Sequence, residues 1–137
     1  MNLLAAVFAA ISVGAGSVGV QAHSSQYGRV LFDQRGYALY AFTADSSTAS
    51  ACSGACAKAW PPLLVNGSAK ALAGVDRKKL GTVVRRGGAT QVTYAGHPLY
   101  YYVGDAKPGQ ILCQNVREYG GLWLVVGPSG KLIRAAR

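Results

Sequence analysis

Acidic residues, histidine and cysteine are scarce in this chain, and each shortage limits the chemistry it can carry. The 137 residues include five Asp or Glu, two His and three Cys, against fourteen Lys or Arg. With histidines at His23 and His97 alone, and no serine in a nucleophile-elbow setting, the sequence predicts no hydrolytic dyad. The cysteine spacing fits neither thioredoxin nor haem attachment, which both need two intervening residues. We therefore assign no catalytic residue, no metal ligand and no cofactor.

The excess of basic residues gives the chain a formal net charge of +9, and every charged residue follows Ala22. Such an imbalance favours anionic partners through long-range attraction, for example acidic components of the cell envelope. No nucleic-acid-binding motif accompanies the charge, so nucleic acid is not an expected partner. A solvated basic surface and a dedicated polyanion site both stay open. The candidate basic patch comprises Arg77, Lys78, Lys79, Arg85 and Arg86.

The first 22 residues have the pattern of an export leader. They contain no charged residue, run apolar from Leu3 to Ile11, and end in Val20-Gln21-Ala22. Small residues at the last and third-last positions suit the pockets of a signal peptidase. We therefore expect an exported protein, periplasmic or extracellular, cut after Ala22 to leave one domain of residues 23–137. Retention of the leader as an anchor stays open, because the usual basic N-terminal region is missing.

An aromatic phrase occurs twice, at Leu39–Asp45 and at Leu99–Asp105, with a spacing of 60 residues. Gly36 and Gly96 precede the two copies at the same spacing and suit tight turns that need a positive φ. A repeated segment indicates a repeated supersecondary unit. The sequence thus predicts a mainly β fold. Two tandem β-hairpin or meander repeats, approximately 27–66 and 82–133, would pack into one small domain with short helical turns.

The predicted elements within the repeats are short. A longer connection follows each hairpin and ends in a tryptophan, at Trp60 and Trp123. Short helices are expected at 55–59 and 75–80. Alternating patterns between turn residues predict strands at 28–33, 38–42, 82–86, 91–94, 98–102 and 131–133.

The repeated phrase places aromatic rings together, because residues two apart in a strand share a face. Tyr40 and Phe42 therefore point the same way in the first repeat, and Tyr100 and Tyr102 do so in the second. If the repeats pack by an approximate two-fold axis, the two aromatic faces meet. We expect the rings to fill the core, with an aromatic binding groove as the alternative.

The phrase also ends each time in an acidic residue, Asp45 or Asp105, where the strand leaves the sheet. A carboxylate at such a place accepts hydrogen bonds from turn amides. We therefore expect a capping role for both residues, and a catalytic role is the less favoured alternative.

Three cysteines leave several arrangements open. Cys52 and Cys56 lie four apart with Gly54 between them, and an oxidising compartment favours a local disulfide there. A reversible redox pair and metal ligation are the alternatives. Cys113 is the odd cysteine, which we expect to be buried, to link two chains as a dimer, or to exchange with the other two.

These motifs resemble those of a family of secreted bacterial repeats of unknown function, also described as predicted lipoproteins. The resemblance implies export and a tandem repeat, and it brings no established reaction, substrate or cofactor. Many relatives carry a lipid on a cysteine just after the leader, whereas the first cysteine here is Cys52, so no lipid anchor is expected. Cys113 lies where the family more commonly has a glycine-rich turn. The matching positions include Tyr40, Phe42, Asp45, Cys52, Cys56, Trp60, Gln91, Gly96, Tyr100, Tyr102, Asp105 and Trp123.

Three functional hypotheses follow from these patterns. The leading one is an exported cell-envelope domain with a non-enzymatic binding or structural role, because repeated hydrophobic motifs occur without catalytic residues. The chief alternative is a redox or electron-transfer accessory that uses the cysteines, or a bound metal or haem. The third is a binder of anionic envelope polymers, which the charge of +9 favours.

Overall fold

The computed structural model describes residues 18–136, and short strands make up most of their regular structure. The part of the predicted leader before Val18 lies outside the described residues. The helical parts of the described chain are one helix, α1 (Ala55–Ala59), and the 3-10 turn Arg77–Lys79. The strands are β1 (Gly19–Ser25), β2 (Gly28–Asp33), β3 (Tyr40–Phe42), β4 (Lys70–Ala71), β5 (Leu80–Val84), β6 (Thr90–Tyr94), β7 (His97–Pro98), β8 (Val116–Glu118) and β9 (Gly121–Val125).

Three small sheets organise these strands, in the orders β2-β1-β4, β3-β9-β8 and β5-β6-β7. The pairs β1/β2 and β5/β6 are antiparallel neighbours in sequence, one in each repeat. Strand β3 pairs with β9, so the first repeat contributes a strand to a sheet that the second repeat completes. The predicted mainly β fold with two repeats is confirmed, and the repeats interlock.

Strand β1 is the first-repeat counterpart of β5. It pairs Ala22 with Leu31 of β2, just as β5 pairs Val83 with Gln91 of β6. Leu31 and Gln91 are related by the repeat spacing of 60, and Ala22 and Val83 are both buried. The sequence pattern predicts a first repeat that begins near residue 27, because the residues through Ala22 have the pattern of a leader. In the structure the first repeat includes β1.

The two hairpin returns turn at the glycines that the repeat spacing identifies. Gly36 has a φ of +94° and Gly96 a φ of +81°, values that residues with a side chain rarely adopt. The return strands are shorter than predicted, with three residues in β3 and two in β7. The reason is that Tyr40 and Tyr100 pair with each other across the repeats instead of extending their local hairpins.

Two further predicted elements are reduced in the structure. The helix expected at 75–80 is the single 3-10 turn, which begins where the Asp76 carboxylate accepts from the amide of Lys78. The strand expected at 131–133 is one bridge between Val126 and Leu132. The first segment is short and carries Arg77, Lys78 and Lys79, so it buries too little apolar surface to support a longer helix.

The core divides into two clusters that follow the alternation of the strands. One cluster is rich in aromatic rings and contains Tyr40 and Tyr100, while the other is mostly aliphatic and contains Leu39 and Leu99. Each copy of the repeated phrase therefore sends alternate residues into different clusters. The junction between the repeats lies where the aromatic cluster forms.

Candidate functional site

The repeated tyrosine and aspartate form hydrogen bonds across the repeats. The Tyr40 hydroxyl donates to Oδ2 of Asp105 at 2.8 Å, and the Tyr100 hydroxyl donates to Oδ2 of Asp45 at 2.7 Å. The two tyrosines also exchange backbone hydrogen bonds of 2.8 and 2.9 Å with each other. Each copy of the motif is thus completed by the other copy, which gives the junction approximate two-fold symmetry.

Both aspartates also cap a loop. Oδ1 of Asp45 accepts from the amide of Ala51 at 2.7 Å, and Oδ1 of Asp105 accepts from the amide of Leu112 at 2.9 Å. Burial raises the pKa of both carboxyls above the usual value, and these hydrogen bonds oppose part of that rise. The four oxygens therefore hold loops and tyrosines in place, which is a structural use of the motif.

Four aromatic rings form a column at the junction, and three of them are stacked while Tyr102 is tilted by 41° against Trp60. Trp60 and Trp123 stack at its centre, with ring centroids 4.0 Å apart and an interplanar angle of 7°. Phe42 covers Trp123 at 4.1 Å, and Tyr102 covers Trp60 at 4.7 Å. The two repeats thus contribute equivalent rings to both ends of the column.

The motif tyrosines pack against the column edge-on. Tyr40 meets Trp60, and Tyr100 meets Trp123, both with centroids 5.1 Å apart. These two tyrosines and both tryptophans have 0% exposed surface. Edge-to-face packing of this kind stabilises a core beyond the area that it buries. Among the described residues, these rings therefore belong to the buried core at the junction.

The two-fold symmetry breaks around Tyr100. The Ser50 hydroxyl lies 2.6 Å from the Tyr100 hydroxyl. Arg85 donates from Nη1 to Ser50 Oγ at 3.0 Å and to Oε1 of Gln91 at 2.7 Å. Its Nη2 also donates to the carbonyl oxygen of Cys52. The guanidinium is therefore fixed by three acceptors next to the Tyr100–Asp45 pair.

The equivalent place around the Tyr40–Asp105 pair is closed. The Tyr40 hydroxyl donates to Asp105 and accepts, at 3.4 Å, from the amide of Cys113. Asp105 is 6% exposed, whereas Asp45 is only partly buried. One half of the junction is thus sealed, and the other half is extended by an arginine and a serine that reach the surface.

A polar cleft of about 160 Å³ opens at this extended half. Arg86 is exposed and lines the cleft together with the fixed Arg85. A larger groove of about 380 Å³ lies elsewhere, and no titratable side chain lines it. We name the smaller one the arginine cleft, and its lining residues are Ser50, Ala51, Cys52, Ser53, Arg85 and Arg86.

The candidate basic patch separates into two groups. Arg77–Lys79 forms the turn immediately before β5, and Arg85 and Arg86 follow its last residue, Val84. Five extended residues span about 16 Å, so the two groups lie at opposite ends of the strand. Only the second group contributes to the arginine cleft.

The closely spaced cysteines form a disulfide. Cys52 and Cys56 are joined with a Cα–Cα distance of 5.3 Å, and Cys56 lies in α1. Gly54 between them has a φ of +60°, which allows the sharp bend. The ring is small, so it fixes the loop that forms one wall of the arginine cleft more than it stabilises the whole fold.

Cys113 occupies the second-repeat position that corresponds to Cys52. Ala51 and Leu112, the residues just before these cysteines, give the equivalent capping amides to the two aspartates. Cys113 is 8% exposed, and contact with it raises the pKa of the Tyr102 hydroxyl. The thiol therefore lies in the junction, and its burial agrees with the first of the three arrangements expected from the sequence. A position so enclosed does not favour a bridge to a second chain.

Sequence reasoning missed two polar centres. Ser50 lies in a run of small polar residues that gives no signal of its own. Asp33 is 0% exposed, binds the guanidinium of Arg35 at 2.9 Å and accepts from the Tyr101 hydroxyl at 2.7 Å. The spacing of Asp33 and Arg35 around a turn could have indicated their ion pair. It gives no signal for the hydrogen bond from Tyr101, which lies in the other repeat.

The described chain has neither a cluster of metal-ligating side chains nor a helix suited to crossing a membrane. Across residues 18–136, no three His, Cys, Asp or Glu side chains come together as a metal site. In the same residues, no helix has the length and hydropathy needed to cross a membrane.

Fold and site together define a class of β domain made of two interlocked repeats, in which the aromatic and acidic motif residues build the junction. The chain belongs to the family described as a secreted repeat of unknown function, whose model matches residues 22–64 and 81–127. It is therefore an exported domain of a family without an assigned activity. The comparisons with curated proteins and with solved structures give no match.

Proposed function

We propose that this protein is a non-enzymatic exported domain that binds an anionic polymer of the cell envelope through the arginine cleft. One observation carries the proposal, namely that the repeats differ in how they surround their Tyr–Asp pairs. The Tyr40–Asp105 pair is enclosed, whereas the Tyr100–Asp45 pair lies beside Ser50, Arg85 and a cleft that the exposed Arg86 also lines. Within residues 18–136 the Tyr40–Asp105 pair is held without an arginine, so we assign Arg85 and Arg86 to binding.

The chemistry of the cleft suits carboxylate or phosphate groups. Arginine presents a planar set of donors that matches these anions in a bidentate way. Arg85 is held by three acceptors, which lowers the entropy that binding has to overcome. Ser50 and Ser53 add hydroxyl groups to the same wall. The net charge of +9 then attracts a polyanion from a distance.

Binding is favoured over catalysis because the reactive groups near the cleft are poorly activated. The Ser50 hydroxyl contacts Tyr100, which in turn donates to Asp45. Burial raises the pKa of Tyr100 to about 12, so this hydroxyl stays protonated and makes a poor general base for serine. The Tyr–Asp chain thus supports the loop and does not generate a nucleophile.

The redox alternative finds less support. Thiol–disulfide exchange requires attack on an accessible sulfur by a thiolate. Cys52, Cys56 and Cys113 are 1%, 5% and 8% exposed. All three pack in the aromatic cluster of the junction.

Equilibrium binding to two soluble probes tests the proposal, polyphosphate for phosphate groups and polygalacturonate for carboxylate groups. We expect the double variant Arg85→Gln/Arg86→Gln to lose at least about tenfold in affinity for one probe, since charge-assisted hydrogen bonds are lost. The matched control Arg77→Gln/Lys78→Gln removes the same charge at the other end of β5. It should lose about threefold or less, because its side chains are solvated. Affinity for the preferred probe should also fall steeply with salt.

Two results would contradict the proposal. Equal losses in both double variants would mean that the charge acts as a general surface, and salt-insensitive binding would mean that charge is not the driving force. The single variant Arg86→Gln controls for an effect on folding, because it leaves the three hydrogen bonds of Arg85 in place. It should lose affinity without a change in melting temperature.

A further inference from the structure

Residues 18–22 belong to the sheet of the first repeat. The carbonyl of Val18 accepts from the amide of Lys70 at 2.9 Å, and the carbonyl of Val20 accepts from the amide of Leu72 at 2.8 Å. The amide of Ala22 donates to the carbonyl of Ala73 at 2.8 Å. On its other side β1 pairs with β2 from Val20 to Ser25. This segment is therefore the middle strand of its sheet.

The side chains of the same segment are part of the core. Val20 is 0% and Ala22 3% exposed, and both lie in the mostly aliphatic cluster. A Cβ added at Gly19 would come within 2.6 Å of Leu72 Cδ1, so the backbone there is closely covered. A mature chain without Val20 would lose the stabilisation that a fully buried core side chain provides.

The repeat supplies an independent argument. The second repeat keeps a complete strand β5 beside β6, and β1 is its counterpart beside β2. A cut after Ala22 would leave the first repeat with only the last three residues of this strand. The two repeats would then no longer share one architecture.

We infer that the export leader is removed before Gly19, at the Ser17–Val18 bond, so that all of β1 stays in the mature protein. Ala15 and Ser17 supply the small residues that a signal peptidase requires at the third-last and last positions. Water hydrolyses this bond, leaving a carboxylate on Ser17 and an amine on Val18. The position differs from the cut after Ala22 that the sequence pattern predicts.

The mass of the exported protein, made from the complete chain in a bacterium that exports it, tests the inference. A first residue of Val18 is the expected result. A first residue of His23, or a chain that keeps its leader, would overturn it. In the exported protein the amides of Lys70 and Leu72 should exchange with solvent at least about tenfold more slowly than exposed loop amides, since Val18 and Val20 cover them. Unprotected amides at both positions would also overturn the inference.

A single substitution separates the two cleavage positions. Ser17→Leu places a bulky side chain at the last position before the inferred cut, so it should block processing and leave a heavier protein. The same residue lies well before a cut after Ala22, where the change would have no effect on the product. Unchanged processing of Ser17→Leu would therefore count against the Ser17–Val18 bond. Ser24→Leu, on the exposed part of β1, is the matched control and should be processed normally.

Discussion

Replacing the two motif tyrosines separately by phenylalanine tests whether burial decides the strength of the exchanged hydrogen bonds. Tyr40→Phe removes the donor to Oδ2 of Asp105, in a place where the tyrosine is 0% and the aspartate 6% exposed. A buried acceptor that loses its donor costs its full desolvation penalty, so we expect a loss of about 2–3 kcal/mol in the free energy of unfolding. Tyr100→Phe removes the donor to Asp45 and the contact with Ser50. Because water can reach Asp45 and Ser50 keeps Arg85 as a partner, we expect a loss of about 1 kcal/mol.

Urea unfolding with the disulfide intact measures both losses. With an m-value of about 1.5 kcal/mol/M for a domain of this size, the midpoint should fall by about 1.7 M for Tyr40→Phe and by about 0.7 M for Tyr100→Phe. Tyr37→Phe is the matched control, since its exposed hydroxyl makes one long hydrogen bond of 3.3 Å to Ala106. Its midpoint should stay within about 0.3 M of the wild type.

The ranking of the variants is what could refute the reasoning. A loss for Tyr100→Phe that equals or exceeds that for Tyr40→Phe would show that burial does not decide the cost. Losses for both variants no larger than that of Tyr37→Phe would show that the exchanged hydrogen bonds contribute nothing to stability.

Two further predictions concern pH and packing. Burial raises the folded-state pKa of Asp105, so this carboxyl contributes stability below its ordinary pKa near 3.8 and loses that contribution as the pH rises through the folded value. The melting temperature of Asp105→Asn should therefore fall less between about pH 4 and 7 than that of the wild type, and an identical pH dependence in both proteins would contradict this. Gly121→Ala should cost about 1–3 kcal/mol in urea unfolding, because the new Cβ would lie 2.7 Å from Phe42 Cε1 and 3.1 Å from the amide of Ala44. Gly127→Ala, whose Cβ would meet nothing closer than 3.4 Å, is its control, and equal losses would show that close approach at Gly121 is not the cause.

Local pattern and repetition were enough to predict the mainly β class and the turn positions. The repeat spacing places Gly36 and Gly96 correctly because a tight turn depends on the conformation of a single residue. Strand β1 was not predicted, because the small and apolar residues from Gly19 to Ala22 are typical both of the end of an export leader and of a central strand. The repeat spacing nevertheless carries a signal for this strand, because β1 is the counterpart of the predicted strand at 82–86.

The candidate site was harder to predict than the fold. The repeated Tyr and Asp could be identified as a pair of motifs, but sequence spacing does not say that Tyr40 bonds to Asp105 rather than to Asp45. The basic patch was predicted as one unit from closeness in sequence. An extended strand between its two groups separates them in space, so only Arg85 and Arg86 reach the cleft.

The crossed Tyr–Asp bonds have the form of an isologous contact, in which the same two groups meet twice about a dyad. A chain with one copy of the motif would have to find the complementary group in a second molecule. Joining both copies in one polypeptide makes that encounter intramolecular, so it no longer depends on protein concentration. Because both copies lie in one chain, their sequences can differ. One copy can therefore acquire side chains that a symmetric homodimer would have to carry on both of its faces.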